Sequence, residues 1–198
     1  MTEDEDWYYL FDDETLNGWG ITGNPDGWTV TAGCIHCKGE KGGYLYTEET
    51  FKDFILSLEF RYAPRTNSGV FFRWTDLEDA VQTGIEIQIL DTYDRAPATT
   101  HCCGAVYDVQ APTHNTCKRA GEWNRMVLTA EGSRIQVELN DAGLVDMDLS
   151  RWTMKGMNPN GTPNKFERPY CEMLDEGHIG LQDHGGKIWF REVKIQDL

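Results

Sequence analysis

Three short segments alternate apolar and polar residues with a period of two: Asn67-Ser68-Gly69-Val70-Phe71-Phe72-Arg73, Gly84-Ile85-Glu86-Ile87-Gln88-Ile89-Leu90-Asp91 and Gly180-Leu181-Gln182-Asp183-His184-Gly185. That period belongs to β-strands that send one set of side chains into a core and the other to the opposite face. On this reading the opposite face carries Arg73, Glu86, Gln88, Gln182 and His184. Half-buried strands mostly give Lys, Thr or Ser to solvent. An acid, a guanidinium, two amides and an imidazole gathered on one face are instead what a polar ligand requires, and they point to a carbohydrate site.

No stretch keeps a helical period over three turns, while 12% aromatic residues and 20 glycines accompany repeated turn signals. The class is therefore all-β. Phe54, Leu56, Leu58 and Phe60 alternate with Ile55, Ser57, Glu59 and Arg61, which predicts a core strand. Shorter strands are predicted at Trp28 to Val30, Cys34 to Cys37, Tyr44 to Tyr46, Val70 to Trp74, Ile85 to Leu90, Trp123 to Thr129, Arg134 to Leu139, His178 to Asp183 and Ile188 to Ile195. Two long irregular stretches interrupt them, about Thr92 to Gly121 and Thr153 to Glu176. Loops of that length are uncommon unless functional, so the first is expected to border the site. The expected architecture is a two-sheet antiparallel β-sandwich of jelly-roll type in a single domain over residues 1–198, with a closed barrel as the alternative. Residues 1–8 read as an acidic, solvated leader. Trp19, Trp28, Trp123 and Trp189 are expected in the core.

The formal charge of −15 and a pI near 4.6 exclude a nucleic-acid partner, since phosphate binding relies on clustered Lys and Arg that are missing here. No run approaches the roughly 18 apolar residues of a membrane span, and the start lacks the basic and apolar regions of a signal peptide. Six cysteines leave the compartment open. Cys34-x-x-Cys37 encloses His36 but lacks a second ligand pair for zinc, and one of Cys102 and Cys103 is a candidate partner for Cys117 across the long loop.

The chain also resembles the 3-keto-disaccharide hydrolase domain family along nearly its whole length. The likeness runs through Leu10-Phe11-Asp12-Asp13 and Leu16-Asn17-Gly18-Trp19, Gly43-Tyr44-Leu45, Asp53-Phe54, the three segments above, Gly104-Ala105-Val106-Tyr107, Gly121-Glu122-Trp123-Asn124 and Phe190-Arg191. The resemblance implies a concanavalin-like sandwich, a small carbohydrate substrate oxidised at C3, and cleavage of its glycosidic bond. Members are bacterial and often exported, which sets an exported mature protein beside the cytoplasm as the two locations. The cysteine-containing segments depart from the family's pattern.

A ketone at C3 acidifies the C2 hydrogen, so a base can remove it and the C1 leaving group departs by elimination. This replaces the paired carboxylates of an ordinary glycosidase by one base, one stabiliser of the enolate and one proton donor to the leaving oxygen. His184 is the first candidate base, because a neutral imidazole titrates near working pH. Glu86 is the second, or else a metal ligand or hydroxyl clamp. Arg73 is assigned to the enolate or a hydroxyl pair, and Asn67, Gln88, Asp91, Tyr107, Gln182 and Trp74 to sugar binding. A divalent metal on Glu86, Asp91 and His184 is an alternative stabiliser. No nicotinamide or flavin site is legible. The rival function is a non-catalytic carbohydrate-binding module on the same fold.

Overall fold

The computed structural model describes residues 6–95 and 98–198. In chain order its strands are β1 (Tyr8–Tyr9), β2 (Trp19–Ile21), β3 (Trp28–Thr31), β4 (Cys34–Cys37), β5 (Tyr44–Thr47), β6 (Phe54–Tyr62), β7 (Asn67–Trp74), β8 (Ile85–Leu90), β9 (Asn124–Glu131), β10 (Arg134–Leu139), β11 (Ala142–Asp148), β12 (His178–Gln182) and β13 (Ile188–Asp197). One short α-helix, α1 (Ala80–Thr83), lies between β7 and β8. One sheet runs β11-β10-β9-β6-β13-β4-β3 with β1 added on β13, and the second runs β2-β5-β12-β7-β8. All the strand pairings are antiparallel. The fold is thus the expected sandwich rather than a barrel. Part of the stretch read as a solvated leader is structured, since Tyr8 pairs with Ile195 and Tyr9 with Lys194. The first five residues of that stretch lie outside the described residues.

The apolar set of each alternating segment meets between the sheets: Leu56, Leu58 and Phe60 from β6, Val70 and Phe72 from β7, Ile85, Ile87 and Ile89 from β8, Ile179 and Leu181 from β12, all fully buried or nearly so. This contiguous burial is the principal force holding the two layers together. Trp19 and Trp28 join the core as expected. Trp123 and Trp189 do not. They lie half-buried on the outer face of the eight-stranded sheet, where Arg61 stacks over both rings and Arg191 over Trp123, while His36 lies parallel to Trp189 at 4.7 Å. The pleat explains this: Trp189 pairs with His36 and Arg61, so all three share the outward parity. His36 thereby lies on the face opposite the core-facing Cys37, and no group of three metal-ligating side chains forms there among the described residues.

The long segment after β8 is not a free loop. Gly104 and Tyr107 donate backbone hydrogen bonds to Gln88 and Glu86, and Gln88 donates to Ala105, so the segment pairs along the edge of β8 and covers it. Within it the Thr92 hydroxyl contacts both the Cys103 amide and the Cys117 sulfur. Cys103 is therefore the neighbour of Cys117. All six cysteines are free thiols.

Candidate functional site

Residues of the five-stranded sheet that point away from the core line up across the strands. Gly20, Tyr46, Gly180, Phe71 and Glu86 form one row, and Tyr44 beside Gln182, with Gly69 beside Gln88, forms the next. Glu86, Gln88 and Gln182 therefore share the face that their alternation predicts.

Arg73 does not. Between Phe71 and Trp74 strand β7 advances three residues while β12 advances two, from Gly180 to His178, so β7 carries a bulge with Arg73 in the left-handed region at φ 51°. The inserted residue reverses the parity. Trp74 joins Phe71 on the outer face, and Arg73 turns inward, 1% exposed, to donate to the carbonyls of Lys52 and Gly132 and to pair with Asp53 at 3.3 Å. Its guanidinium is an anchor between the sheets and cannot face Glu86. Trp74 reaches the expected face but is wholly buried there, beneath Tyr44, Tyr46 and Leu77, with its indole N–H donated to the Asp76 carbonyl. It is a floor and has no surface open to a ligand.

The Glu86 carboxyl leans across β7. A Cβ on Gly69 would lie 2.4 Å from its Oε1, so only glycine leaves that space. The carboxyl accepts no hydrogen bond among the described residues. Burial raises its pKa from 4.5 to about 7, against a smaller opposing pull from the Lys165 ammonium. Lys165 comes from the second irregular stretch. It is held by its backbone N–H on the Asp108 carboxylate at 2.8 Å, and its ammonium lies 4.2 Å from the centre of the Tyr107 ring. The phenol of Tyr107 is raised by burial and by Glu86. Glu86, Tyr107 and Lys165 thus form one electrostatic group at the β8 edge. Tyr170, buried beneath with its hydroxyl unpartnered, has its pKa pushed up by desolvation and again by Glu86.

At the other end of the face an amide relay fixes a proton. The Gln88 amide nitrogen donates to Ser68 O at 2.9 Å and to Asn67 Oδ1 at 2.7 Å, so Asn67 presents its NH₂ to His184 Nδ1 at 3.1 Å. His184 Nδ1 then accepts, which leaves Nε2 as the ring's donor. Such an imidazole offers a donor to the face. His184 is exposed, four β7 residues away from the row of Glu86 if counted along Asn67 to Phe71. Gln182 sits between the two ends. Its Nε2 donates to the Tyr44 hydroxyl at 3.4 Å, and its buried Oε1 has no partner. Asp91 is elsewhere. Its carboxylate accepts the Arg65 N–H at 2.8 Å and caps the turn before β7.

Glu86, Asp91 and His184 are consequently not gathered as a metal-ligand set, and among the described residues no three His, Cys, Asp or Glu side chains are. The residues that pattern reading misses are Lys165, in a segment with no periodicity, and the Tyr44/Tyr46 pair, whose alternation marks a strand but not a site.

Residues 6–196 match the family described as the 3-keto-alpha-glucoside-1,2-lyase-like domain. A 3-keto-disaccharide hydrolase of Bacteroides thetaiotaomicron is 27% identical, over 98% of this chain and 80% of that protein. A candidate glycosyl hydrolase from Parabacteroides distasonis superposes with a TM-score of 0.88 at 34% identity, over 97% of this chain and 99% of that one. The carbohydrate-binding module CBM66 of Bacillus subtilis shares the fold, with a TM-score of 0.58 at 16% identity over 91% of this chain and 96% of its own. With a match that spans almost every residue, the chain belongs to the 3-keto-alpha-glucoside-1,2-lyase-like family.

Proposed function

We propose that this protein cleaves the glycosidic bond of 3-keto-glycosides, with Glu86 as the base. The observation that carries the reading is a desolvated carboxyl, without a hydrogen-bond partner among the described residues, poised near neutral pH on a face otherwise built of amides, phenols and an imidazole. A structural ion pair would instead hold a carboxyl down. Family membership and the similarity to a 3-keto-disaccharide hydrolase support the substrate class.

In the proposed sequence Glu86 takes the C2 proton, the C2–H electron pair forms the enolate, and its collapse expels the C1 oxygen. The protonated Glu86 then supplies the proton that the leaving oxygen needs. Lys165 and Tyr107, beside Glu86, stabilise the negative charge that develops on the C3 oxygen, the role first assigned to Arg73. His184 donates its Nε2–H to a sugar hydroxyl. Addition of water across the double bond at C1 makes the net reaction a hydrolysis; release before that step makes it a lyase reaction.

The fold alone is compatible with a binding module. A module has no use for a base tuned to neutrality, and the likeness to CBM66 concerns the fold. The test is turnover of 3-keto-glucosides and 3-keto-disaccharides, with and without added divalent cations, by the wild type, Glu86→Gln and His184→Ala. The expected result is cleavage by the wild type, abolished in Glu86→Gln and weakened mainly through KM in His184→Ala. Binding of these sugars without cleavage overturns the enzyme reading.

A further inference from the structure

We infer that the same face carries a second sugar subsite, a groove on its β2/β5 side that receives the leaving pyranose and selects a neutral disaccharide over a simple glycoside. The inference rests on the catalytic reading above, and four observations place the subsite.

The first is position. Tyr46 lies in the row of Glu86, three strands away, a span of about 14 Å at roughly 4.8 Å per strand. One pyranose held at Glu86 does not fill it. A second ring linked through C1 extends toward Tyr46.

The second is space. A groove of about 430 Å³ opens there, lined by Ile21, Thr22, Tyr44, Tyr46, Leu77 and Glu78. That volume is in the range of small-molecule sites.

The third is an aromatic surface made available by a missing side chain. The Tyr46 ring lies across Gly20, where a Cβ would come within 2.3 Å of Cζ and 2.5 Å of the hydroxyl oxygen. Gly20 thus lets the ring lie over β2. The ring meets Trp74 and His178 at near-perpendicular angles, at 5.8 and 5.4 Å between centres, and these two contacts hold it in place. Its hydroxyl has no hydrogen-bond partner among the described residues. A half-buried ring that lines a groove is a platform for the C–H face of a sugar.

The fourth is unspent polarity. The buried Gln182 Oε1 lacks a donor, a cost that a sugar hydroxyl removes. Gln182 pairs with Tyr44 across the strands, which puts this acceptor at the junction between the groove and the carboxyl of Glu86. Glu78, exposed on the groove's rim, adds a further acceptor. With Glu78 and Glu86 on the two sides and a net charge of −15, the subsite disfavours an acidic sugar and suits a neutral hexose.

The test compares kcat/KM for a 3-keto-disaccharide with that for methyl 3-keto-glucoside, whose leaving group is too small to reach the groove. Tyr46→Ala should lower the first by about tenfold and change the second by less than about twofold, and Tyr46→Phe should restore the first. Tyr46→Leu keeps apolar bulk over Gly20 and serves the same comparison if the alanine variant does not fold. Equal losses on both substrates, or no loss on either, overturn the subsite. If the wild type cleaves neither substrate the catalytic reading fails, and the groove is judged by calorimetric binding of an unoxidised glucosyl-glucose. Binding by the wild type that weakens about tenfold in Tyr46→Ala and returns in Tyr46→Phe supports the groove on its own, and absence of wild-type binding overturns it.

Discussion

The Glu86 carboxyl rests over the backbone of Gly69, on the neighbouring strand, in space that any side chain at position 69 would occupy. Gly69→Ala therefore pushes the carboxyl out toward solvent. Rehydration lowers its pKa toward that of an ordinary glutamate and moves the base off the reacting carbon. The expected outcome is a loss of kcat/KM of about 100-fold or more with a folded protein, read from steady-state kinetics beside circular dichroism.

Burial of Glu86 also has a stability signature. Its folded pKa of about 7 lies above the ordinary 4.5, so the folded state binds the proton more tightly than the unfolded one. Stability linked to this group is complete below pH 4.5 and is lost as pH rises through 7. Glu86→Gln removes the loss and should stabilise the protein at pH 8, by at most about 3 kcal/mol, while changing little at pH 4. Urea unfolding at the two pH values measures it.

Lys165 pulls the pKa of Glu86 down. Replacing it by Met removes that pull, so the base is protonated up to a higher pH. The acid limb of the kcat/KM profile should move upward by less than about one pH unit, a small shift because Lys165 is exposed and screened. The maximum rate should fall as well, through the lost stabilisation of the enolate.

Arg73 provides the contrast. Its buried guanidinium holds the Lys52 and Gly132 carbonyls and Asp53. Arg73→Met leaves these groups without their donor and should destabilise the fold by about 3 kcal/mol, with Asp53, which is partly exposed, escaping the full cost of an isolated buried charge. Turnover per folded molecule should be retained, which thermal unfolding and active-fraction kinetics separate.

The difference between Glu86 and Arg73 shows what alternation can and cannot convey. Strand parity placed Glu86, Gln88 and Gln182 on one face, because β8 and the paired part of β12 run without an inserted residue. In β7 one extra residue before Trp74 reverses the parity, and nothing in Phe71-Phe72-Arg73-Trp74 announces it, since the residue in the left-handed conformation is an arginine rather than a glycine. Two other strands, β2 and β11, were hidden for related reasons. Trp19-Gly20-Ile21 is too brief to display a period, and β11 opens on Ala142-Gly143 opposite an irregularity in β10. Lys165 is held at the site by its backbone, whose N–H donates to Asp108 on the other long excursion and whose carbonyl accepts from Gln82. Contacts between two irregular segments leave no periodic trace.

The central claim is that Glu86 removes the C2 proton in the step that governs kcat/KM. The direct measurement is the pH dependence of kcat/KM for a 3-keto-glucoside bearing hydrogen or deuterium at C2. The account predicts a normal primary isotope effect and a rate that rises with pH through a single limb near 7. The absence of an isotope effect, with a limb near that of an ordinary carboxylate, would contradict it.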